Sequence, residues 1–439
     1  MNKKQKSQLP FSHLNFDKWQ NLILVGLFIF YFAQFGFMST KESFLQGYGV
    51  DYLAFWSIGK IADEKGFSEI YDIGNIRPVQ FQVLVDRGMV KKGDEASISP
   101  IPAPLFSFFA LPFLFLSRID PKQSYWIWTG INLVVLIGYL IFFIKNTLPD
   151  SLYSLQTKQT LMLLLLAFPT IVNLTEGQVE VFLVVCMGEF IRTAINKKPL
   201  LSGLWLGGLL LKPQLLIIIV PIIVLKRYWK MVFGFSISSV VIVGSSLILA
   251  GTRGMRALIG LLFKYGEGIA SNSPERMINW RMVAVNLNSS IGWIIAIAGM
   301  GLTLLAAYYL IKNEIVFGSP KWVMAMLGIF SASLAFTWHS HFHMAAALIP
   351  FLLYCSLTQI LNKKVVLYWA VSTPAILMIV TSAALALLII AGIRISDFGA
   401  MLLGISGFIS NLALLGSVLY YFRKVEKSSG ISDPENLSA

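Results

Sequence analysis

Residues 199–225 read PLLSGLWLGGLLLKPQLLIIIVPIIVL. The run is apolar except for Lys212-Pro213-Gln214 at its middle, and basic clusters flank it: Arg192, Lys197 and Lys198 before, Lys226, Arg227 and Lys230 after. A single helical crossing of a hydrocarbon core about 30 Å thick would put one basic cluster on each side, against the tendency of Lys and Arg to collect in the cytoplasm. Two arms of about 13 residues rise only ~20 Å each. The segment therefore reads as a short hairpin whose Lys212 tip reaches toward the outer half of a membrane. Non-helical backbone at that depth must line a wet or protein-packed cavity.

Comparable apolar runs recur from Asn21 to Tyr421. With 56% hydrophobic and 13% charged residues and a mean hydropathy of +0.71, the composition excludes a soluble enzyme. Open strand edges are not tolerated in lipid, so the chain is expected to be an all-α polytopic integral membrane protein. Twelve crossings are expected, at roughly 21–38, 122–144, 158–174, 178–194, 199–211, 214–228, 231–250, 289–311, 321–338, 342–361, 365–391 and 398–421. Both termini fall in the cytoplasm, with 19 Lys and Arg inside against 16 outside, most of the latter in two long loops that the rule weighs little. The formal charge of +13 is thus loop charge and needs no nucleic-acid partner. Residues 1–20 form a cytoplasmic N-terminus, 21–421 a single transmembrane domain and 422–439 a cytoplasmic tail. The first run lacks a small-x-small cleavage site and reads as an uncleaved helix. Cys186 and Cys355 sit in apolar segments as expected buried thiols.

Two segments fall on the outer face. Residues 39–121 open with Gly49-Val50-Asp51-Tyr52, continue through a helical stripe of Tyr52, Phe55, Trp56, Gly59 and Ala62, and close with a proline-rich apolar stretch from Ser99 to Leu116, expected to dip into the membrane without crossing. Residues 251–288 carry Arg253, Arg256, Lys264, Glu267, Glu275, Arg276 and Arg281 before Asn286-Leu287-Asn288-Ser289-Ser290.

Asp51 stands where an outer-leaflet cavity would open, placed either as a general base for a hydroxyl group or as the N-cap of the helix that follows. Glu176-Gly177-Gln178-Val179-Glu180 joins two apolar runs, as a membrane-level functional cluster or a solvated turn. Lys212 is the one charge in its hairpin; it either pairs with an anion such as a substrate phosphate or snorkels to the interface. Trp338-His339-Ser340-His341-Phe342-His343 holds three of the four histidines. Alternate residues do not share a helical face, so phosphate binding or acid chemistry suits them better than a metal, beside a structural role at the interface. Arg276 and Arg281 offer forked donors for phosphate, or a solvated loop. A cavity with one carboxylate, scattered cations and histidines suits a lipid carrying a phosphate and a polar head. A lipid-linked glycosyltransferase, a lipid flippase and a proton-coupled transporter all remain open on these residues.

The ordered motifs narrow this. Gly49-Val50-Asp51-Tyr52 with Tyr71-Asp72 resembles G-x-D-F/Y…Y-D, and Pro102-Ala103-Pro104-Leu105-Phe106 is similar to Y-P-P-L-F. Gly177-Gln178-Val179-Glu180 resembles G-Q-V-N, with Glu180 in place of Asn, and Leu211-Lys212-Pro213 resembles L-K-P. Asn286-Leu287-Asn288-Ser289-Ser290 resembles N-Q-S, and Thr337-Trp338 with His341 resembles S-W-x-H-H, with Ser340 at the first His. Together they resemble glycosyltransferase family 87, the polyprenyl-phosphate-mannose-dependent mannosyltransferase-like group of the GT-C superfamily. The resemblance implies a GT-C-type fold whose outward-facing site passes a sugar, mannose in the best-known members, from a polyprenyl phosphate to a lipid-linked or cell-envelope glycan acceptor, with inversion. It implies Asp51 as the base and Lys212, His341, Arg276 and Arg281 as ligands of the donor phosphate. Substrate contacts would fall to Tyr52, Gln178, Glu180, Asn286, Asn288, Trp338 and His339. No cofactor is expected, and no divalent metal, because protein cations can balance the phosphate. A flippase for the same lipids would call for internal repeats, and the sequence shows none.

Overall fold

The computed structural model describes residues 16–40, 44–45, 48–151, 154–266, 274–375 and 395–429. Every regular element among them is helical, apart from one isolated bridge between Phe44 and Tyr48. In chain order the α-helices are α1 (Phe16–Thr40), α2 (Val50–Lys65), α3 (Ile73–Asp86), α4 (Leu111–Leu116), α5 (Pro121–Thr147), α6 (Leu155–Leu165), α7 (Phe168–Glu176), α8 (Glu180–Ile195) and α9 (Pro199–Gly207). They continue as α10 (Leu216–Leu225), α11 (Trp229–Gly266), α12 (Trp280–Leu287), α13 (Ser290–Ile311), α14 (Pro320–Phe336), α15 (Ile349–Leu357), α16 (363–375) and α17 (Ile395–Ser429).

Five helical stretches are long and apolar enough to cross a membrane: Trp19–Gly36, Pro121–Thr147, Trp229–Phe263, Ser290–Ile311 and Met401–Glu426. Helices α6 and α7, bent by 45° at their junction, make a sixth if taken as one span. The twelve crossings expected from the apolar runs are therefore not confirmed. Prolines account for much of the difference, since each removes a helical N–H and starts a new turn. Pro169 opens α7, Pro213 opens a 3₁₀ turn in the middle of 199–225, and Pro350 opens α15. The expected crossing at 365–391 lies largely outside the described residues, as do 1–15, 267–273 and 430–439.

The centre of the bundle is α14, whose residues Trp322–Ala335 are buried without exception. A helix apolar on all sides belongs inside a bundle, and α14 packs against α10, α13, α15 and α17. Beside it, α9 packs closely on the first turns of α11. A Cβ at Gly203 would lie 2.0 Å from the Met231 carbonyl oxygen, and one at Gly207 would lie 1.8 Å from Ser238 Oγ. This is the small-residue seam that lets helix backbones approach in lipid, where apolar burial gives no drive to association.

The 199–225 segment doubles back. Helix α9 runs up, a 3₁₀ turn (Gly208–Leu211) leads to Lys212, a second (Pro213–Leu215) leads away, and α10 descends. Both feet meet the same connector: Lys197 Nζ donates to the Phe317 carbonyl, and Lys226 Nζ donates to the Asn313 carbonyl at 3.3 Å. Lys321 joins Glu426 at 3.8 Å at the same end. The basic connectors thus gather at one end of the bundle and Lys212 lies toward the other.

At that other end, α2 buries the expected stripe of Tyr52, Phe55, Trp56, Gly59 and Ala62 against α4 and its neighbours. The proline-rich stretch makes no crossing. It ends in the short α4 and is tied to α11, Ser107 Oγ donating to the Ser246 carbonyl at 3.0 Å while Ser246 Oγ accepts from the Phe108 N–H at 3.1 Å. Helix α11 kinks at Gly251 (φ 63°, ψ −178°), and Gly254 beyond the kink lies against Ser68.

Candidate active site

Two left-handed glycines bring distant parts of the chain together. Gly49 (φ 73°) caps the N-terminus of α2, and its N–H donates to the Thr175 carbonyl at 2.7 Å. Gly177 (φ 69°) caps the C-terminus of α7, and a Cβ there would lie 2.6 Å from Tyr52 Cβ. Only glycine adopts this conformation freely while allowing so close an approach. The first turn of α2 is therefore clasped to the α7–α8 turn, and Asp51 meets Gln178. Gln178 Nε2 donates to Asp51 Oδ2 at 2.5 Å, across 127 residues of sequence. Asp51 caps nothing: Gly49 holds the N-cap position and the helix has no side-chain cap. The Glu176 carboxylate lies within electrostatic reach of Asp51.

Lys212 enters from the hairpin tip, extended (φ −138°, ψ 76°) between its two 3₁₀ turns. Its Nζ lies 3.4 Å from Gln178 Oε1 and 3.5 Å from Glu180 Oε1. The anion expected beside this buried ammonium is thus supplied by the protein. Glu180 is 0% exposed, its backbone N–H donates to Asn173 Oδ1 at 3.0 Å, and its Oε1 lies 2.8 Å from His343 Nδ1. The contacts have a direction. An ammonium only donates, so Gln178 must present its carbonyl to Lys212 and its NH₂ to Asp51. Asp51 Oδ2 is held by that donor; among the described residues no donor is seen at Oδ1, a carboxylate oxygen able to accept a proton.

The third component is the connector after α14. Ser340 Oγ donates to the Leu334 carbonyl at 2.6 Å, and the Ser340 carbonyl accepts from Ile278 N–H at 2.9 Å. His341 is extended (φ −110°, ψ 169°), so the helical-face objection does not apply here and alternate histidines share one side. The ring centroids of His339 and His341 are 4.7 Å apart, those of His341 and His343 5.9 Å. Burial, followed by the charges of Lys212, His343 and Arg281, pushes His339 down to about 3. Burial, His339, His343, Lys212 and Arg276 hold His341 well below the usual imidazole range. At neutral pH both rings are therefore uncharged and can donate or accept but bring no cation.

Arg281 is buried, its guanidinium 4.7 Å over the Trp338 ring and its Nη1 3.5 Å from the Trp338 carbonyl. Trp338 stacks in turn on Trp293 at 5.7 Å. Arg276, on the turn Pro274–Arg276, lies within electrostatic reach of Glu176 and His341.

The structure thus assembles Asp51, Gln178, Glu180, Lys212, His339 and His341, with Arg276, Arg281 and Trp338 around them. It sets three other candidates apart. Tyr52 is fully buried, its hydroxyl 2.5 Å from Ser124 Oγ. Asn286 Nδ2 donates to the Glu275 carbonyl at 3.3 Å and so braces the turn carrying Arg276. Asn288 is the exposed left-handed C-cap of α12 (φ 42°). His343 and Glu176, read from the sequence only as members of the histidine run and of the polar turn 176–180, complete the constellation. A cleft of about 580 Å³ lies elsewhere, between α2, α3 and the start of α5, and four of its five lining charges pair as Lys60–Glu64 at 2.8 Å and Arg87–Asp120 at 2.7 Å.

No curated protein and no solved structure matches the chain. The family model of glycosyltransferase family 87 matches residues 104–337, more than half of it. The matched stretch includes Gln178, Glu180, Lys212, Arg276 and Arg281, whereas Asp51 and the three histidines lie outside it. With a matching family over most of the helical bundle and apolar helices of membrane-crossing length, the chain belongs to glycosyltransferase family 87 and is a membrane glycosyltransferase.

Proposed function

We propose that the protein is an inverting glycosyltransferase that moves a sugar, mannose first among those to test, from a polyprenyl-phosphate donor to a lipid-linked or cell-envelope glycan acceptor. The observation that carries this reading is the placement of one carboxylate, Asp51, and one ammonium, Lys212, on opposite ends of a single amide, Gln178. Asp51 takes the proton of the acceptor hydroxyl, whose oxygen attacks the anomeric carbon in line. The bond between that carbon and the phosphate oxygen breaks, and its electron pair leaves with polyprenyl phosphate. Lys212 and the rim arginines, Arg276 and Arg281, meet the developing charge. Neutral His339 and His341 act as hydrogen-bond partners of substrate, and Trp338 offers an aromatic face at the rim. No divalent metal is required in this scheme.

The positive-inside argument supports a multi-pass protein of the inner (plasma) membrane with both termini cytoplasmic. The basic feet of the hairpin would face the cytoplasm, and the end bearing Asp51 and Lys212 the extracytoplasmic side. The test is to incubate the purified protein in nanodiscs with radiolabelled polyprenyl-phosphate-mannose and an extract of host envelope lipids, beside Asp51→Asn. A labelled product from wild type alone, with donor binding intact in the variant, is the expected result. Transfer at the normal rate by Asp51→Asn would remove Asp51 from the mechanism. Movement of labelled lipid across proteoliposomes with no glycosidic product would replace the transferase by a flippase.

A further inference from the structure

A buried carboxylate beside the cation assigned to the phosphate is an unexpected neighbour, because it opposes the anion that the cation is meant to hold. Glu180 is wholly buried, and a single oxygen, Oε1, meets both Lys212 Nζ at 3.5 Å and His343 Nδ1 at 2.8 Å. Its other oxygen, Oε2, is buried with no hydrogen-bond donor among the described residues. Lys212 is less enclosed, with 19% of its side chain exposed, and so keeps a direction open to a ligand. Among the described residues, Gln178 on the α7–α8 turn and the histidines of the α14–α15 connector lie within reach of this pair. No other carboxylate is paired with Lys212 among the described residues.

We propose that Glu180 is a positioning residue that moderates the hold of Lys212 on the donor phosphate, so that the ammonium is shared in the ground state and released to the phosphate as the sugar departs. The inference rests on the transferase reading above. The donor is a phosphodiester with one negative charge. When the anomeric carbon–oxygen bond breaks, the electron pair stays on the phosphate and the acceptor proton goes to Asp51, so the phosphate gains one charge and no co-reactant is needed. A carboxylate at 3.5 Å competes well for the ammonium against a monoanion and poorly against a dianion. Interaction energy is thereby shifted from the bound donor toward the transition state, where it accelerates the reaction. An unopposed ammonium would hold both states and retard release of the more highly charged product.

The experiment measures binding of the monoanionic donor, a short-chain polyprenyl-phosphate mannose, to the purified full-length protein in nanodiscs without acceptor, with kcat and KM for transfer determined in parallel. Wild type, Glu180→Gln, Glu180→Asp, Lys212→Gln and the double variant Glu180→Gln/Lys212→Gln are compared. Glu180→Gln should bind the donor about tenfold more tightly while its kcat falls. Glu180→Asp, with the same charge withdrawn by one methylene, should fall between the two. The double variant should bind no more tightly than Lys212→Gln. Unchanged or weaker binding by a folded Glu180→Gln would overturn the proposal, as would a gain that survives loss of Lys212. If Glu180→Gln does not fold, Glu180→Asp binding no tighter than wild type overturns it instead. Wild type that binds no polyprenyl-phosphate mannose would bring down the donor assignment itself, and this proposal with it.

Discussion

Gln178 holds Asp51 by a 2.5 Å hydrogen bond whose direction is imposed by Lys212 at the far end of the same amide. Replacing Gln178 by Leu removes the donor and leaves the carboxylate free to rotate. A hydrogen bond to a charged group contributes about 1.5–3 kcal/mol, so kcat/KM should fall about 10- to 100-fold with little change in the melting temperature. Transfer by Gln178→Leu at the wild-type rate would separate the amide from the base.

Tyr52 offers a contrast one residue away. Its hydroxyl is spent on Ser124 inside the protein, so Tyr52→Phe should cost about 1 kcal/mol of stability and leave kcat/KM unchanged. Thermal unfolding and steady-state kinetics on one preparation check this. An increase in acceptor KM at unchanged stability would return Tyr52 to the substrate contacts.

Gly177 cannot acquire a side chain cheaply. At φ 69°, with Tyr52 Cβ 2.6 Å from the position a methyl would take, Gly177→Ala combines backbone strain with a clash. The expected loss is about 1–3 kcal/mol from the backbone alone. Transfer should fall with it, because the same turn presents Gln178. A variant that melts and turns over like wild type would refute the clasp between α2 and the α7–α8 turn.

The connector histidines make stability depend on pH in a stated direction. His339 is held down to about 3 and His341 well below its ordinary value, first by burial and then by neighbouring cations. The unfolded chain takes up protons near pH 6.5, the folded one only at much lower pH. Their contribution to stability is thus full above about pH 6.5 and is lost as pH falls toward 3. Unfolding followed between pH 7 and 4 should show a steeper loss in wild type than in His339→Asn/His341→Asn. Equal slopes would mean that these rings are not desolvated.

Much of this was legible in the sequence wherever one local feature had a single physical reading. Lys212-Pro213-Gln214, breaking an apolar run with basic residues at both ends, admitted a hairpin and little else. The stripe from Tyr52 to Ala62 announced the buried helix α2. Run length, by contrast, does not distinguish a crossing from two short helices meeting at a proline, and the count of twelve is not confirmed there. The histidine spacing was judged against a helical face, although the chain is extended at His341. Glu180 and His343 are 163 residues apart, and nothing local to either shows that they share a proton-bearing contact. Asn286 shows the same limit from the other side, since its motif does not announce that its amide braces the turn through the Glu275 carbonyl.

The hairpin makes the chemistry of one face depend on carpentry at the other. Its feet are pinned to the 313–317 connector and its first arm is seated on α11, so the height of the Lys212 ammonium is set by the length of the arms beneath it. One residue inserted into either arm would turn the tip by about 100° and lift it about 1.5 Å. Contacts of 3.4 and 3.5 Å do not survive such a displacement. The two apolar arms are in this sense a ruler, selected for how many residues they contain as much as for which.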